Sequence, residues 1–243
     1  MRRIMIKVIR ELSRIGTHHA LVNSENQDAL CHGTSKDLCV ISLADGVSAC
    51  KEAKNGAVIA SSAITNLFLK KGRHFFEFEE KQIADLVLSH ILFELKSRAA
   101  EASQPVENFS STVVSVLVDK RRKRMLCFNL GDGIILASGN GKCKVISIPS
   151  DSSYGCCVTT TKKAENMVSI KLCDIGTIES VVICSDGAWR EMFQKNKLKL
   201  EVAQMISDNE YDALGNFLVN QNCFDDYSFI SLDMRKEERR RCE

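Results

Sequence analysis

The sequence predicts an antiparallel α+β domain on three observations. Eight short runs rich in Val, Ile, Leu and Phe read as strands: IMIKVI, LCVISLA, STVVSVLVD, RMLCFNLG, IILAS, VSIKLC, VVICS and YSFISL. Two helical patterns fall together between the second and third runs, and a third lies between the last two. Strands grouped away from helices, not alternating with them one for one, favour antiparallel sheets over a doubly wound parallel sheet. With 243 residues, only two prolines and no long Ser/Gly-rich linker, the chain reads as one domain.

In chain order, MRRIMIKVIRELSR begins basic and then apolar like a signal peptide. Lys7, Arg10, Glu11 and Arg14 interrupt any apolar core, so it reads as a first strand. LCVISLA ends on Asp45-Gly46. Gly56 to Lys70 carries apolar residues at 57, 60, 64, 67 and 68, and Gln82 to Lys96 carries them at 83, 86, 87, 91 and 95. Both fit a helix with one buried face. The basic patch Lys120 to Arg124 separates two strands and reads as a solvated hairpin, open to an acidic partner. Asp132-Gly133 follows RMLCFNLG, with CFNLG and IILAS flanking it as two strands of a hairpin would. Gly139 to Gly141 is a turn with no following helix to make it a phosphate loop. VVICS leads into Asp186-Gly187, one helical pattern runs through KLEVAQMISDNEYDALGNFLVN, and Asp225-Asp226 precedes YSFISL. The domain is expected to end at residue 234, leaving RKEERRRCE, residues 235–243, as a charged frayed tail.

A net charge of +2 offers no argument for nucleic acid or an anionic membrane as partner. No apolar stretch approaches the roughly 20 residues a spanning helix needs. Of the eleven cysteines, Cys39, Cys127, Cys173 and Cys184 lie inside strand runs, and there is no CxxC pair or export signal. Reduced thiols in a cytoplasmic protein are expected. Adjacent Cys156 and Cys157, in a turn-rich stretch, are open to oxidation but lack partners at zinc spacing.

Four acidic sites therefore stand at strand ends, where side chains from distant parts of a chain can converge. Any one Asp-Gly pair is first a turn, because it supplies positive φ at little cost. Asp132-Gly133 is the most open to that reading. Taken together the set suggests a metal site, since a glycine lets its neighbouring carbonyl approach a cation and oxygen-only ligands select Mg²⁺ or Mn²⁺ over Zn²⁺.

Six segments resemble the metal-dependent protein phosphatases of the 2C class, in their order, and most closely the compact bacterial branch. They are GTHHALVNSENQDAL, ADGVSACKEAKNGAVIASSAI, FSSTVVSVLVD, LGDGIILASGNGK, VVICSDGAWREM and DDYSFISL. The resemblance implies a four-layer αββα sandwich of two antiparallel sheets flanked by helices, with two Mn²⁺ or Mg²⁺ ions at one end and room for a weaker third. In that pattern Asp45 bridges both ions and the Gly46 carbonyl completes the second. Asp186 and Asp225 hold the first ion, Asp225 being preferred over Asp226 within one residue of register. Asp28 anchors metal-bound water and Asp132 joins Asp186 at the third ion. Read without the resemblance, Asp28 could be a loop or cap residue and Asp226 a solvated turn residue.

The family's phosphate-binding Arg falls on Asn23, and Gln27 and Val47 replace its Glu and its proton-donating His. Gly16-Thr17-His18-His19 resembles the GxxH segment of the bacterial branch, so His18 or His19 could contact phosphate or donate a proton. The function implied is hydrolysis of phosphoserine or phosphothreonine in proteins by a metal-activated water, opposing a Ser/Thr kinase. That chemistry needs no protein nucleophile, which suits a chain without a CxxxxxR signature or nucleophile elbow. Two alternatives stay open: a phosphatase-like binding or regulatory module with little turnover, and a phosphatase of small metabolites.

Overall fold

The computed structural model describes residues 6–147 and 158–234. The start of the IMIKVI run, Cys156, Cys157 and the 235–243 tail lie outside the described residues. The elements in order are β1 (Lys7–Arg14), α1 (Thr17–Leu21), β2 (Asp28–Thr34), β3 (Leu38–Asp45), α2 (Ala53–Phe75), α3 (Glu80–Glu101), β4 (Val113–Asp119), β5 (Arg124–Leu130), β6 (Ile134–Gly139), β7 (Lys142–Ser147), β8 (Ser169–Asp174), β9 (Ser180–Cys184), α4 (Asp186–Met192), β10 (Phe193–Gln194), β11 (Lys197–Leu198), α5 (Leu200–Asp208), α6 (Tyr211–Val219) and β12 (Tyr227–Asp233). Strands β2-β3-β4-β5-β8 form one antiparallel sheet and β1-β12-β9-β6-β7 a second, with β10 and β11 making a small separate ribbon.

Strands β3, β4, β5, β9 and β12 are buried along nearly their whole length because both faces of the sheets are covered there, and their period of two divides the residues between layers. On β3, Leu38, Val40 and Ala44 join the core under α2 and α3, whereas Cys39, Ile41 and Leu43 join the core between the sheets. On β9, Val181 and Ile183 face the intersheet core, and Val182 and Cys184 face the third core with α4, α5 and α6. The result is four layers, helix on sheet on sheet on helix, as the αββα expectation had it. Both long helices outrun their apolar patterns by several residues at each end, and a capping box between Glu79 and Gln82 starts α3.

Lys120 to Lys123 close the β4–β5 hairpin, where buried Asp119 accepts the Arg121 and Arg122 amides at 2.9 and 3.0 Å. Asn140 and Gly141, both at positive φ, make the two-residue turn between β6 and β7.

Three features differ from expectation. Asp132-Gly133 is not a hairpin turn: β5 lies in the first sheet and β6 in the second, so the pair carries the chain across the sandwich. The third helical pattern is two helices, because Asn209 takes a left-handed conformation (φ 58°) and Glu210 N–H donates back to the Met205 carbonyl at 2.8 Å, a helix-ending cap. Strands β2 (DALCHGT) and β7 (KCKVIS) were not expected, since Gly, His and Lys interrupt their apolar character. All eight described cysteines are free of disulfides. Among the described residues, no helix is long and apolar enough to cross a membrane.

Candidate metal centre

Antiparallel register brings the acidic residues to one end of the sandwich. Asp28 opens β2 directly opposite Asp45, which closes β3. On the second sheet Cys184, at the end of β9, pairs with Ile134 at the start of β6 and with Phe229 near the start of β12. Asp186 follows the first of these strands, Asp132 precedes the second and Asp225 precedes the third. Oxygen atoms of Asp45, Asp132 and Asp186 lie within 4.8 Å of one another.

Glycines hold the backbones close enough for this. A Cβ on Gly46 would meet the Ala53 carbonyl oxygen at 2.5 Å, so the start of α2 packs on the turn after Asp45. On Gly187 it would meet the Asp226 carbonyl oxygen at 2.2 Å, so the start of α4 packs on the segment before β12. These glycines serve close approach between elements, beyond any turn preference. Thr112 secures the end of β3 from its neighbour: its Oγ1 accepts the Asp45 amide at 3.1 Å, and its amide donates to the Asp45 carbonyl at 2.8 Å.

Burial and like charge raise the carboxyls of Asp28, Asp45, Asp132 and Asp186. Asp28, buried, is pushed up to about 8, first by desolvation and then by Asp226 and Asp186 against hydrogen bonds from Ser228 and Ser185. Asp45 is raised well above the usual range by burial and then by Asp28, Asp186, Asp132 and Asp225. Desolvation also raises Asp132, and with the Asp132 charge it pushes Asp186 up to about 6 while Arg190 opposes both. Ser185 Oγ donates to one Asp28 oxygen at 2.8 Å, but the other Asp28 oxygen, Oδ1, and Oδ1 of Asp186 are buried with no hydrogen-bond partner among the described residues. Converging carboxylates that repel, with partnerless buried oxygens among them, fit a hard divalent cation.

Asp225 and Asp226 separate clearly. Asp226 is buried and its carboxylate accepts the Gly16 amide (2.8 Å), the Gln27 amide (2.6 Å) and the His19 Nδ1 contact (2.8 Å). It is no solvated turn residue. Asp225 is half-buried, and its charge acts on Asp45, Asp132 and Asp186. Asp28 is neither loop nor cap but the first residue of β2.

His19 is buried between Asp226 and the exposed Ser48, whose Oγ lies 3.2 Å from Nε2. His18 is exposed and stacks on Phe224 with ring centroids 5.0 Å apart. Asn23 is exposed in the turn after α1, at φ 52°, and among the described residues no hydrogen bond joins its side chain to the carboxylates.

Sequence reading missed Ser48, Ser185, the inward role of Asp226, and Arg190, whose guanidinium lies 2.8 Å from Asp186 and 4.0 Å from Asp132. Only Arg190 had a local signal, its i,i+4 spacing from Asp186.

The same architecture occurs in solved structures. A bacterial serine phosphatase superposes with a TM-score of 0.67 at 14% identity, covering 97% of this chain and 99% of that one. The serine/threonine phosphatase Stp1 from Staphylococcus aureus gives 0.67 at 16% identity, covering 95% and 96%. RsbX in complex with magnesium gives 0.57 at 13% identity, covering 95% and 100%. At these identities the likeness is one of fold. No match is found among curated proteins. The sequence pattern of the family described as Protein phosphatase 2C matches residues 15–219, a span that runs from the turn before α1 to the end of α6 and holds Asp28, Asp45, Asp132 and Asp186, and on that match the chain belongs to the protein phosphatase 2C family.

Proposed function

We propose that this metal-dependent serine/threonine phosphatase works with two Mn²⁺ or Mg²⁺ ions, as a bacterial-type enzyme acting on phosphoserine and phosphothreonine in proteins. The observation that carries the reading is the meeting of Asp45, Asp132 and Asp186, from three strand ends, within 4.8 Å. Bound there, the ions would activate a water for attack on phosphorus and neutralise the phosphoryl oxygens. Asp45 would bridge them with the Gly46 carbonyl beside it, Asp186 and Asp225 would complete the first site, and Asp132 stands next to Asp186 where the family pattern admits a weaker third ion.

The remaining side chains position this set. Asp28, held by Ser185, faces Asp45 across β2 and β3 and would orient water. Asp226 fixes His19, which ties the exposed Ser48 loop beyond Gly46 to the entry of β12. His18, exposed on α1, and Asn23, exposed after it, are the side chains of this segment that would contact a substrate phosphate. Phosphorylated side chains arise by phosphoryl transfer, so a Ser/Thr kinase stands upstream. The eight disulfide-free cysteines support a reducing, cytoplasmic setting, and the balanced charge supports neither nucleic acid nor a membrane as partner.

Hydrolysis of an aryl phosphate and of a phosphothreonine peptide, with and without Mn²⁺, tests the reading. Both reactions are expected with Mn²⁺ and neither after exhaustive EDTA treatment, because oxygen ligands hold these ions loosely enough for chelation. Turnover that survives EDTA would refute it.

A further inference from the structure

Arg190 is paired with carboxylates of the cluster. It sits one helical turn beyond Asp186 on α4, with its guanidinium 2.8 Å from Asp186 Oδ2 and 4.0 Å from Asp132 Oδ2. Neighbouring Trp189 donates its indole N–H to the Asp132 carbonyl at 2.7 Å, so one helix holds both the backbone and the carboxylate of Asp132. Asp186 is nearly fully buried, and an ion pair with a buried carboxylate is far less screened than an exposed pair. We propose that Arg190 is a built-in cation that takes the place of a third metal ion between Asp132 and Asp186. This rests on the two-ion reading above.

A third ion would have to displace the guanidinium from Asp186, its closest partner. The side chain of Arg190 remains 56% exposed, so its unused N–H donors face solution beside the site. Arginine keeps its charge at any working pH, which makes the third position permanently filled and independent of metal supply.

The test is Mn²⁺ stoichiometry, by equilibrium dialysis at saturating metal and by the paramagnetic signal of free Mn²⁺. The full chain should bind two ions. Arg190→Ala and Arg190→Gln, changes at a half-exposed side chain, should each bind a third, weaker ion. Adding Asp132→Asn to either variant should return the count to two. A third ion in the unaltered chain, or variants that stay at two, would overturn the assignment. No Mn²⁺ binding by the unaltered chain would instead sink the metal reading itself, and this proposal with it.

Discussion

Replacing Asp186 with Asn should stabilise the metal-free protein while disabling the loaded one. The Asp186 carboxyl is pushed from 3.8 up to about 6 by burial and by Asp132. Its folded pKa therefore lies above its unfolded value, and ionisation costs the folded state. That penalty is absent below about pH 4, grows as pH rises, and is fully present above about pH 6. At about 1.4 kcal/mol per pH unit, its ceiling is about 3 kcal/mol. The amide has nearly the same shape and no charge, so Asp186→Asn should recover most of that. For a chain of this length each kcal/mol moves Tm by about 2–4 °C, so a gain of about 5–10 °C is expected. Differential scanning calorimetry in EDTA at about pH 7.5 and about pH 4 reads it, with the gain largely gone at the lower pH. Added Mn²⁺ should then stabilise the unaltered protein more than the variant, because the variant has lost a ligand. A variant that is less stable in EDTA at pH 7.5, or equally stabilised at both pH values, would show that Asp186 is not held under repulsion.

The acidic pair before β12 should separate by its readouts: Asp225→Asn is expected to lower Mn²⁺ affinity with Tm in EDTA unchanged or raised. Asp226→Asn should destabilise the fold by about 2–4 kcal/mol, since its carboxylate serves two backbone amides and His19 in a buried setting; calorimetry and metal titration on both variants decide, and reversed effects would exchange the two roles. Asn23→Arg, at an exposed residue with left-handed backbone, should lower KM for an aryl phosphate by about tenfold, equivalent to about 1.4 kcal/mol, if this segment reaches the substrate. If His18 already grips the phosphate, His18→Ala should raise KM and Asn23→Arg should change little; kinetics insensitive to both substitutions would remove this segment from the site.

The secondary structure of the sandwich was largely legible in the chain, because local patterns report local physics. Strands covered on both faces keep unbroken apolar runs, as in VVSVLV and SVVIC, and α2 and α3 keep an apolar face. Aspartates at the ends of such runs were visible for the same reason. Where composition is mixed, pattern gave way to pairing: β2 is a strand through its register with β3 despite Gly33 and His32, and β7 through its register with β6. The route of the chain at Asp132 was not written locally, since Asp-Gly between two apolar runs looks the same whether the runs pair or part into different sheets. The family pattern preferred Asp225 over Asp226 but left the register open by one residue. That choice depends on Gly16, His19 and Gln27, about 200 positions away, which occupy one of two adjacent carboxylates and leave the other near the cluster. Residue types and their periodicity therefore determined the layers and the carboxylates. Which oxygens converge, which are spent on amides, and which cation stands beside them were decided only by tertiary structure, because those contacts join segments that no local spacing relates.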